Sequence, residues 1–266
     1  MKIGLICPYS IAKGGGVQEV VKELQAEYTK RGHEAVIITP QLPEPFDTAG
    51  RRVIFLGALT DFKSPTATTI QVSASVLTDE IDAMLENEQF DVLHFHEPWI
   101  PVLSRQILSR SQTVNVATFH AKLPETLASR ALARVITPYT KPLLKHIDAF
   151  TAVSDAAADY VRTLSDVEIN IIPNGIRTGH YRRPANMPVK QSSKAKTILY
   201  IGRLEKRKGV KYLLYAFQLL QERDPSVKLV LAGDGVDREK LEELRETLGL
   251  KNVEFLGYID DHKKRE

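Results

Sequence analysis

Short apolar runs that alternate with segments of helical periodicity are the feature that most limits how this chain can fold. The runs with the length and composition of β-strands are Ile3–Cys7, Glu34–Thr39, Val53–Leu56, Val92–Phe95, Asn115–Phe119, Ala149–Val153 and Glu168–Ile172. Helical patterns lie between several of them, at Val17–Arg31, Ser73–Glu88, Pro142–His146 and Ala156–Leu164. Apolar strands that alternate with helices are typical of parallel sheets covered on both faces. The pattern predicts an α/β fold with a doubly wound parallel sheet.

A polar segment separates this region from a second, shorter one. Residues 177–196 contain prolines, paired serines and several basic residues but no apolar periodicity, which indicates a linker. The alternation then restarts, with strand Thr197–Ile201, helix Val210–Glu222, strand Lys228–Ala232, helix Arg238–Leu248 and strand Val253–Leu256. We therefore predict one domain over residues 1–176 and the first part of another over residues 197–266. Because so small a sheet would leave much apolar surface uncovered, the second domain is expected to be incomplete.

Composition narrows the class of protein. The 266 residues are 43% hydrophobic and 26% charged, and the formal net charge is +3. A nucleic-acid-binding protein would need a concentrated basic face, so this charge argues against nucleic acid as a partner. No apolar run approaches the roughly 20 residues that span a bilayer, and the first run is too short for a signal-peptide core. The single cysteine, Cys7, lies in an apolar run and is expected to be a buried thiol, so we predict a cytoplasmic protein.

Glycines connect the first strand to the first helix. Gly14, Gly15 and Gly16 precede a segment in which Val17 begins the helical spacing of apolar residues. Because the first amides of a helix lack internal partners and carry the positive end of its dipole, glycines there let an anion such as phosphate approach the backbone. The dinucleotide-binding fingerprint fits poorly, since Glu19 stands where its third glycine would be. A tight turn without a ligand is an equally good interpretation of this stretch.

Two stretches place histidines at the ends of strands. In DVLHFHEPW, His94 and His96 point to the same face of a strand, at the edge where parallel sheets bind ligands. A metal site there lacks a convincing third ligand apart from Glu97, and His94 is expected to be a core histidine. In VATFHAK, His120 and Lys122 follow another strand. A histidine at such a position can transfer a proton or bind a sugar hydroxyl, and a purely structural role is the alternative.

The second domain repeats the order of strand, loop and helix, now with a basic loop. In YIGRLEKRKGVKYLLYAF, Arg203, Lys206, Arg207 and Lys208 precede Gly209. Basic side chains beside a helix N-terminus are suited to a pyrophosphate, and a solvated basic turn is the alternative. Together with the N-terminal glycines, this loop predicts that both domains contribute to binding one diphosphate in a cleft.

Six motifs occur in an order that resembles a known enzyme family. CPYS…GGGVQ, DVLHFHEP, ATFH, FTAVSDAA, IIPNGI and IGRLEKRKG are similar to the motifs of the retaining GT-B glycosyltransferases of family 4, most of all the phosphatidylinositol mannosyltransferase branch. The resemblance extends from Met1 to about Asp261. It implies two Rossmann-like domains, the C-terminal one incomplete here. The acceptor would bind to the first domain and a nucleotide-sugar donor, a GDP- or UDP-hexose, mainly to the second.

The resemblance also implies roles for individual residues. The backbone at Gly15 and Gly16 would face the donor diphosphate, whose charge Arg203 and Lys208 would neutralise as the glycosidic bond breaks. His120 would lie beside the reacting sugar. Neither a protein nucleophile nor a metal ion is expected. The other residues implied are Tyr9, Gln18 and Lys122 on the acceptor side, with His120, and Gly257 and Tyr258 by the nucleobase.

The chain departs from the family pattern in three respects, of which the smallest is Arg177, where many relatives carry an aspartate shortly after NG. The paired-glutamate motif that holds the donor sugar would fall beyond Glu266, so this polypeptide is expected to transfer sugar very weakly or not at all. The helix before the HEP motif is acidic where the inositol-lipid branch is basic, and an anionic membrane would repel it; its acidic residues are Asp79, Glu80, Asp82, Glu86 and Glu88. Peripheral contact with the inner face of the membrane could instead use Arg130, Arg134, Lys141 and Lys145, although a helix pair packed on the sheet is the favoured interpretation of that stretch.

The leading hypothesis is a retaining glycosyltransferase that moves mannose or glucose from a nucleotide sugar to a polyol, an inositol lipid or another glycoconjugate. One alternative is a related enzyme with a soluble acceptor such as a sugar phosphate. Another is a non-catalytic fragment that binds acceptor and donor and needs a second polypeptide for activity. A nicotinamide dehydrogenase fits least, because the second strand ends in Thr39 and Pro40 rather than in an acidic residue that would hold ribose.

Overall fold

The chain folds into two compact units, Met1–Ile176 and Arg177–Glu266. The structure is a computed structural model. It describes residues 1–12, 14–41, 46–63, 69–75, 78–100, 102–122, 137–138, 140–181, 196–260 and 263. Each unit has its own parallel sheet and its own hydrophobic core, so the predicted α/β class is confirmed. Of the predicted linker, residues 182–195 lie outside the described part of the chain.

The first unit is built on a seven-stranded parallel sheet. Its strands are β1 (Lys2–Ile6), β2 (Glu34–Pro40), β3 (Val53–Leu56), β6 (Val92–His96), β7 (Val114–Phe119), β8 (Ala149–Ala152) and β9 (Ile169–Ile171). They lie in the order β3-β2-β1-β6-β7-β8-β9, and each pairs in parallel with its neighbours. The chain runs outward from β1 to β3 and then returns to the other side of β1 with β6. The direction of winding therefore reverses between β1 and β6.

Helices pack on both faces of this sheet. They are α1 (Gly16–Lys30), α2 (Thr78–Glu88), α3 (Leu103–Leu108) and α4 (Asp155–Leu164). On one face, the side chains of Leu93 and Phe95 are fully buried in a core to which α2, α3 and α4 contribute. On the other face, Val21 of α1 packs in a second core with Leu5 and Cys7. Because apolar residues alternate between two covered faces, the strands read as nearly continuous apolar runs.

The buried thiol predicted at Cys7 is confirmed. Its side chain is fully buried, and its Sγ donates to the carbonyl oxygen of Tyr9 over 3.4 Å. Burial raises the pKa of the thiol to about 12, against smaller opposing effects of a hydrogen bond with the backbone of Tyr9 and of the charge of Lys22. Since the thiolate is the reactive form, this sulfur is chemically inert at neutral pH.

The segment between β3 and α2 differs from the sequence prediction. Two strands, β4 (Ala58–Lys63) and β5 (Thr69–Ser75), form a separate antiparallel pair. The predicted helix Ser73–Glu88 therefore starts only at Thr78, and its first three residues belong to β5. β-branched residues are frequent in β5, and they favour strands over helices. Helix α3 was not predicted, because six residues are too few to show a helical period, and Lys141–His146 forms a 3₁₀ helix.

The second unit is a three-stranded parallel sheet with two helices. Its elements are β10 (Thr197–Ile201), α5 (Val210–Arg223), β11 (Lys228–Ala232), α6 (Arg238–Thr247) and β12 (Val253–Gly257), and the strand order is β10-β11-β12. The core lies between the sheet and the helices, where Leu229 and Leu231 meet Leu214 and Phe217 of α5. Burying side chains of this size contributes about 1.5–3 kcal/mol each. The strand β10 also carries Leu199, which is 58% exposed.

Charged side chains connect the elements at the amino edge of the first sheet. Lys2 Nζ lies 2.8 Å from Glu88 Oε2 and 3.6 Å from Glu34 Oε1. Nη2 of Arg52 donates to both carboxylate oxygens of Glu88, over 2.9 Å to Oε1 and 2.8 Å to Oε2. The Arg52 side chain also forms an ion pair with Glu34. This cluster connects β1, β2 and α2 at the amino edge of the sheet, opposite the carboxyl ends of the strands.

Candidate active site

The loops that follow β1, β6 and β7 leave the first sheet at its carboxyl edge. Because the winding reverses between β1 and β6, the loops after these two strands run in opposite directions and open a crevice. Ligands of open parallel sheets bind in such crevices. The topology therefore brings residues 9–12 and 14–16, the pair His96 and Glu97, and His120 to one edge.

The N-terminus of α1 offers free backbone amides at this edge. The first helical hydrogen bond is donated by the amide of Glu19 to the carbonyl of Gly15, over 3.0 Å. The amides of Gly16, Val17 and Gln18 therefore have no helical acceptor, and no described side chain caps them. Gly16 is exposed, and a Cβ atom added there would meet nothing within 4 Å. The backbone at Gly16 is consequently open to an anion.

Gly15 serves a different purpose from Gly16. A Cβ atom at Gly15 would collide with the side chain of Gln18. Gln18 folds back along the loop, and its Nε2 donates to the carbonyl of Ser10 over 3.3 Å. Glycine at position 15 thus leaves room for the end of the flexible Gln18 side chain, whereas a side chain at position 16 would meet no described residue.

His96 and His120 form a hydrogen-bonded pair. Nδ1 of His96 lies 2.9 Å from Nε2 of His120, so the two rings share one N–H between them. The other ring nitrogens, Nε2 of His96 and Nδ1 of His120, are buried and have no partner among the described residues. Burial lowers the pKa of His120 to about 4, and burial with the neighbouring His94 lowers the pKa of His96 well below its usual value. Both rings are therefore neutral at pH 7.

His94 belongs to a chain of hydrogen bonds within the sheet. Its Nε2 lies 2.6 Å from Thr118 Oγ1, which lies 2.6 Å from Thr151 Oγ1, and Thr151 donates to the carbonyl of Ala117 over 3.1 Å. Since Thr151 has a single hydroxyl hydrogen, Thr118 must donate to Thr151 and accept from an Nε2–H of His94. Burial, with a smaller effect of His120, lowers the pKa of His94 to about 4. The prediction of a core histidine is confirmed.

Glu97 connects the three loops. Its backbone is left-handed (φ 52°), which is unusual for a residue other than glycine, and its carboxyl Oε1 accepts the amide of His120 over 2.7 Å. Burial raises the pKa of Glu97 to about 8, opposed by bonds from the amides of His120 and Ala121 and from Trp99. Burial and, next, the charge of Glu97 raise the pKa of Tyr9 well above its usual value. The hydroxyl of Tyr9 therefore stays protonated at neutral pH.

The carboxyl edge of the second sheet carries the basic loop. Arg203 Nη1 lies 3.1 Å from Glu205 Oε1, and Arg207 Nε lies 3.1 Å from Glu205 Oε2. Lys208 is exposed and has no carboxylate within ion-pair distance among the described residues. Gly209, with a φ of 68°, turns the chain into α5 immediately after it. The loop thus presents four cations, Arg203, Lys206, Arg207 and Lys208, beside the start of a helix.

The loop after β11 touches the basic loop through two glycines. A Cβ atom at Gly233 would collide with the carbonyl of Gly202, and one at Gly235 would collide with that of Leu204. The amide of Gly233 donates to the carbonyl of Gly257 over 2.7 Å. These contacts hold the ends of β10, β11 and β12 together at one edge.

Sequence profiles of two known families match the chain. The family described as "Glycosyltransferase Family 4" matches residues 14–180, and the one described as "Glycosyl transferases group 1" matches residues 183–266. The chain belongs to glycosyltransferase family 4.

Curated relatives of this glycosyltransferase include phosphatidyl-myo-inositol mannosyltransferases. The protein from Mycobacterium tuberculosis (strain ATCC 25618 / H37Rv) is 32% identical, over 99% of this chain and 68% of its own length. The one from Propionibacterium freudenreichii subsp. shermanii is 30% identical, over 99% of this chain and 67% of its own. The chain spans about two thirds of the length of these relatives. The resemblance to this branch is confirmed.

Solved structures share the fold. Sucrose-phosphate synthase from Thermosynechococcus elongatus matches with a TM-score of 0.70 and 20% identity, over 97% of this chain and 71% of its own. Anabaena HepE in complex with UDP-glucose matches with a TM-score of 0.70 and 18% identity, over 98% of this chain and 70% of its own. These neighbours are GT-B proteins, so the predicted GT-B fold of this glycosyltransferase is confirmed.

The predicted site residues of this glycosyltransferase lie at the carboxyl edges of the two sheets. Lys122 is half exposed, with its Nζ 3.9 Å from Asp159 Oδ2 of α4, and Tyr258 is 72% exposed. Within the described ranges, no group of three or more His, Cys, Asp or Glu side chains could hold a metal ion. The predicted residues in the first unit are Tyr9, Gly15, Gly16, Gln18, His120 and Lys122. Those in the second unit are Arg203, Lys208, Gly257 and Tyr258.

Three polar residues of the sites were not among the predicted donor- or acceptor-binding residues. Glu97 and His96 stood in the HEP motif, but only the fold shows that both contact His120. Glu205 is buried between Arg203 and Arg207. A signal for Glu205 was present, since one acidic residue stands among four basic ones in RLEKRK.

The two stretches considered for membrane contact are partly described. The acidic side chains on the outside of α2 are exposed, namely Asp79, Glu80, Asp82 and Glu86. In the basic stretch, Lys141 and Lys145 are exposed, whereas Arg130 and Arg134 lie outside the described residues. No helix in the described part of the chain is long and apolar enough to cross a bilayer.

Proposed function

We propose that this chain transfers a hexose, mannose or glucose, from a GDP- or UDP-sugar to a polyol, an inositol lipid or another glycoconjugate, with retention of the anomeric configuration. The relatives named as phosphatidyl-myo-inositol mannosyltransferases support mannose and an inositol-lipid acceptor. A structural neighbour in complex with UDP-glucose supports a nucleotide-sugar donor.

The observation that carries the proposal is the cationic loop after β10. Half of the Arg203 side chain is exposed, and Lys208 is exposed at the start of α5. Guanidinium and ammonium groups at this position are suited to the two phosphates of a nucleotide sugar. Gly257, the last residue of β12, and Tyr258, which follows it, would then lie by the nucleobase.

The N-terminus of α1 is proposed as a second contact for the donor diphosphate. Its free amides carry the positive end of the helix dipole, and the surface above Gly16 is open. Tyr9, Gln18 and Lys122 of the same unit are proposed to bind the acceptor hydroxyls.

The chemistry follows from where charge develops. The bond between the anomeric carbon and the diphosphate oxygen breaks, and the departing oxygen gains negative charge that Arg203 and Lys208 stabilise. The acceptor hydroxyl attacks the same face of the sugar, and its proton passes to the departing phosphate oxygen. His120, neutral at pH 7, is proposed to hold a sugar hydroxyl by a hydrogen bond. No covalent bond to the protein forms.

Substitution Gly16→Ala tests the proposal directly. The added methyl group has free space in the protein, so the free energy of unfolding should stay equal or rise, by up to about 1 kcal/mol, because alanine favours helices. The same methyl group would obstruct an anion at the helix N-terminus, so affinity for UDP and GDP should fall. Calorimetric titration, with thermal unfolding alongside, measures both quantities. Gly179→Ala is the control, since a Cβ atom there also meets nothing within 4 Å.

Transfer is measured with radiolabelled GDP-mannose and UDP-glucose, with phosphatidylinositol and free inositol as acceptors. Arg203→Ala should lower the transfer rate by about 10²–10³-fold, as loss of one charge-stabilising group does in other enzymes. NMR of the product reports the anomeric configuration. Inversion would refute retention, and binding of neither nucleotide would refute the proposed function. Binding without transfer would favour the alternative of a fragment that needs a second polypeptide for activity.

A further inference from the structure

A buried carboxylate lies in the middle of the cationic loop. The side chain of Glu205 is 8% exposed, and both of its oxygens are paired: Oε1 with Arg203 Nη1 and Oε2 with Arg207 Nε, each over 3.1 Å. A charged group so far removed from water must be paired to be tolerated. Because Glu205 is held by burial, the two guanidinium groups take their positions from it.

The backbone of the loop is fixed by the same residues. The amide of Glu205 donates to the carbonyl of Arg203 over 3.1 Å, and the amide of Lys208 donates to that of Glu205 over 2.8 Å. The hydroxyl of Tyr200 also donates to the carbonyl of Arg203, over 3.1 Å. Arg203 is therefore held at its backbone by Tyr200 and Glu205 and at its side chain by Glu205.

The ion pairs with Glu205 leave further N–H donors of Arg203 and Arg207 available. A guanidinium group carries five N–H donors, and the ion pair with Glu205 engages one nitrogen of each arginine. The Arg203 side chain is 50% exposed and that of Arg207 is 44% exposed, so their other nitrogens are accessible from solvent. Two guanidinium groups held in place lose less conformational freedom on binding an anion than two free side chains do.

We propose that Glu205 is a positioning residue that acts through Arg203 and Arg207, and that Arg207 is a second guanidinium for the diphosphate. This inference rests on the proposed function, because the anion it positions them for is the donor diphosphate. It predicts that removing the charge of Glu205 weakens anion binding, whereas charge repulsion alone predicts that the same change strengthens it. As a mere negative charge, Glu205 would weaken anion binding, and removing it would help; as a positioning residue, its removal must hurt.

The test measures affinity of the whole chain for inorganic pyrophosphate, UDP and GDP by calorimetric titration, with uridine and guanosine as ligands that lack phosphate. Glu205→Gln keeps the size of the side chain and removes its charge. We expect all three phosphate affinities to fall about tenfold, within the usual range of coupling between contacting residues. Arg207→Ala should also weaken binding. Glu239→Gln, on the exposed surface of α6, is the matched control and should change nothing.

A variant that lacks both arginines distinguishes positioning of the arginines from general damage to the loop. In the double variant Arg203→Ala, Arg207→Ala, the carboxylate has neither arginine to position, so adding Glu205→Gln should no longer weaken the remaining affinity and should strengthen it. Far-ultraviolet circular dichroism monitors folding, and Glu205→Asp, which keeps the charge but shortens the side chain, should weaken binding like Glu205→Gln.

The outcomes separate the two proposals. If the unmodified chain binds neither UDP nor GDP, the proposed function fails, and this inference fails with it. If it binds them but Glu205→Gln leaves the affinity equal or higher, or if the loss persists unchanged in the double-arginine background, only the role of Glu205 is refuted. Unchanged binding by Arg207→Ala would refute the second guanidinium.

Discussion

Partly buried histidines at the carboxyl edge of the first sheet make the stability of this chain sensitive to acid. The pKa values of His94 and His120 lie at about 4 in the folded chain, against 6.5 in the unfolded one. Because the pKa is lower in the folded chain, the unfolded chain binds more protons between pH 6.5 and about pH 4. The contribution of these histidines to the free energy of unfolding is therefore fully present above pH 6.5 and is lost as the pH falls through 4.

His94→Gln should reduce this loss, because glutamine has no charge to gain and can offer an N–H to Thr118. We expect the free energy of unfolding to fall less steeply from pH 6.5 to pH 4, by a difference on the order of 3 kcal/mol over the interval. Urea unfolding at both pH values measures it. His33→Gln, in the turn before β2, is the comparison, and an equal slope in both variants would contradict the assignment.

Gln25 is a buried residue whose role is structural. Its Nε2 donates to the carbonyl of Ala35, over 3.1 Å, and to that of Arg52, over 2.8 Å, so it ties α1 to β2 and to the start of β3. Gln25→Leu should destabilise the fold by about 1–3 kcal/mol, because the Ala35 carbonyl loses this donor and the Arg52 carbonyl keeps only the amide of Ile37. Chemical denaturation checks the value. Gln112→Leu, at an exposed position, should cost far less, and equal costs would argue against these bonds.

At the level of single residues, the sequence was informative about strand ends and uninformative about partners. The positions of His120, Arg203 and Lys208 after strands could be predicted, since loops at the carboxyl edge carry ligands. The bond between His96 and His120 could not, because it joins neighbouring strands through a register that only the folded sheet defines. Glu205 was hidden for another reason: its burial depends on packing across the loop.

Among the elements, the loops of the second unit depend on each other through glycines. Gly235 lies against the carbonyl of Leu204, the residue after Arg203. Gly235→Ala should therefore displace the basic loop and destabilise the second unit by about 1–3 kcal/mol, the usual cost of overpacking. Thermal unfolding and pyrophosphate affinity should both report the change. The same substitution at Gly179, where there is space, should be neutral, and neutrality at both positions would contradict the close approach.

Long periodic elements were predictable and short or irregular ones were not. Helices α1, α5 and α6 carry enough turns to show their apolar spacing, and their predicted bounds differ from the observed ones by a residue or so. The pair β4 and β5 was missed, and part of β5 was assigned to α2, because a two-stranded element next to a helix gives conflicting local signals. The six residues of α3 gave no signal of their own.

For the molecule as a whole, the distribution of charge matters more than its net value of +3. The exposed acidic residues of α2 would oppose contact with anionic lipid. Replacing three of them, with Asp79→Asn, Glu80→Gln and Glu86→Gln, should increase sedimentation with phosphatidylserine vesicles, by about 1 kcal/mol for each charge brought near the surface. Phosphatidylcholine vesicles serve as the control. No increase with phosphatidylserine would show that α2 stays away from the bilayer.

The inert thiol of Cys7 has a practical consequence for experiments on the whole molecule. It is the one cysteine of the sequence, and its sulfur is both buried and protonated. A cysteine introduced at an exposed position would therefore react alone with a maleimide dye. Single-site fluorophores, placed in turn on each unit, would make donor and acceptor binding visible by fluorescence without first replacing a native residue.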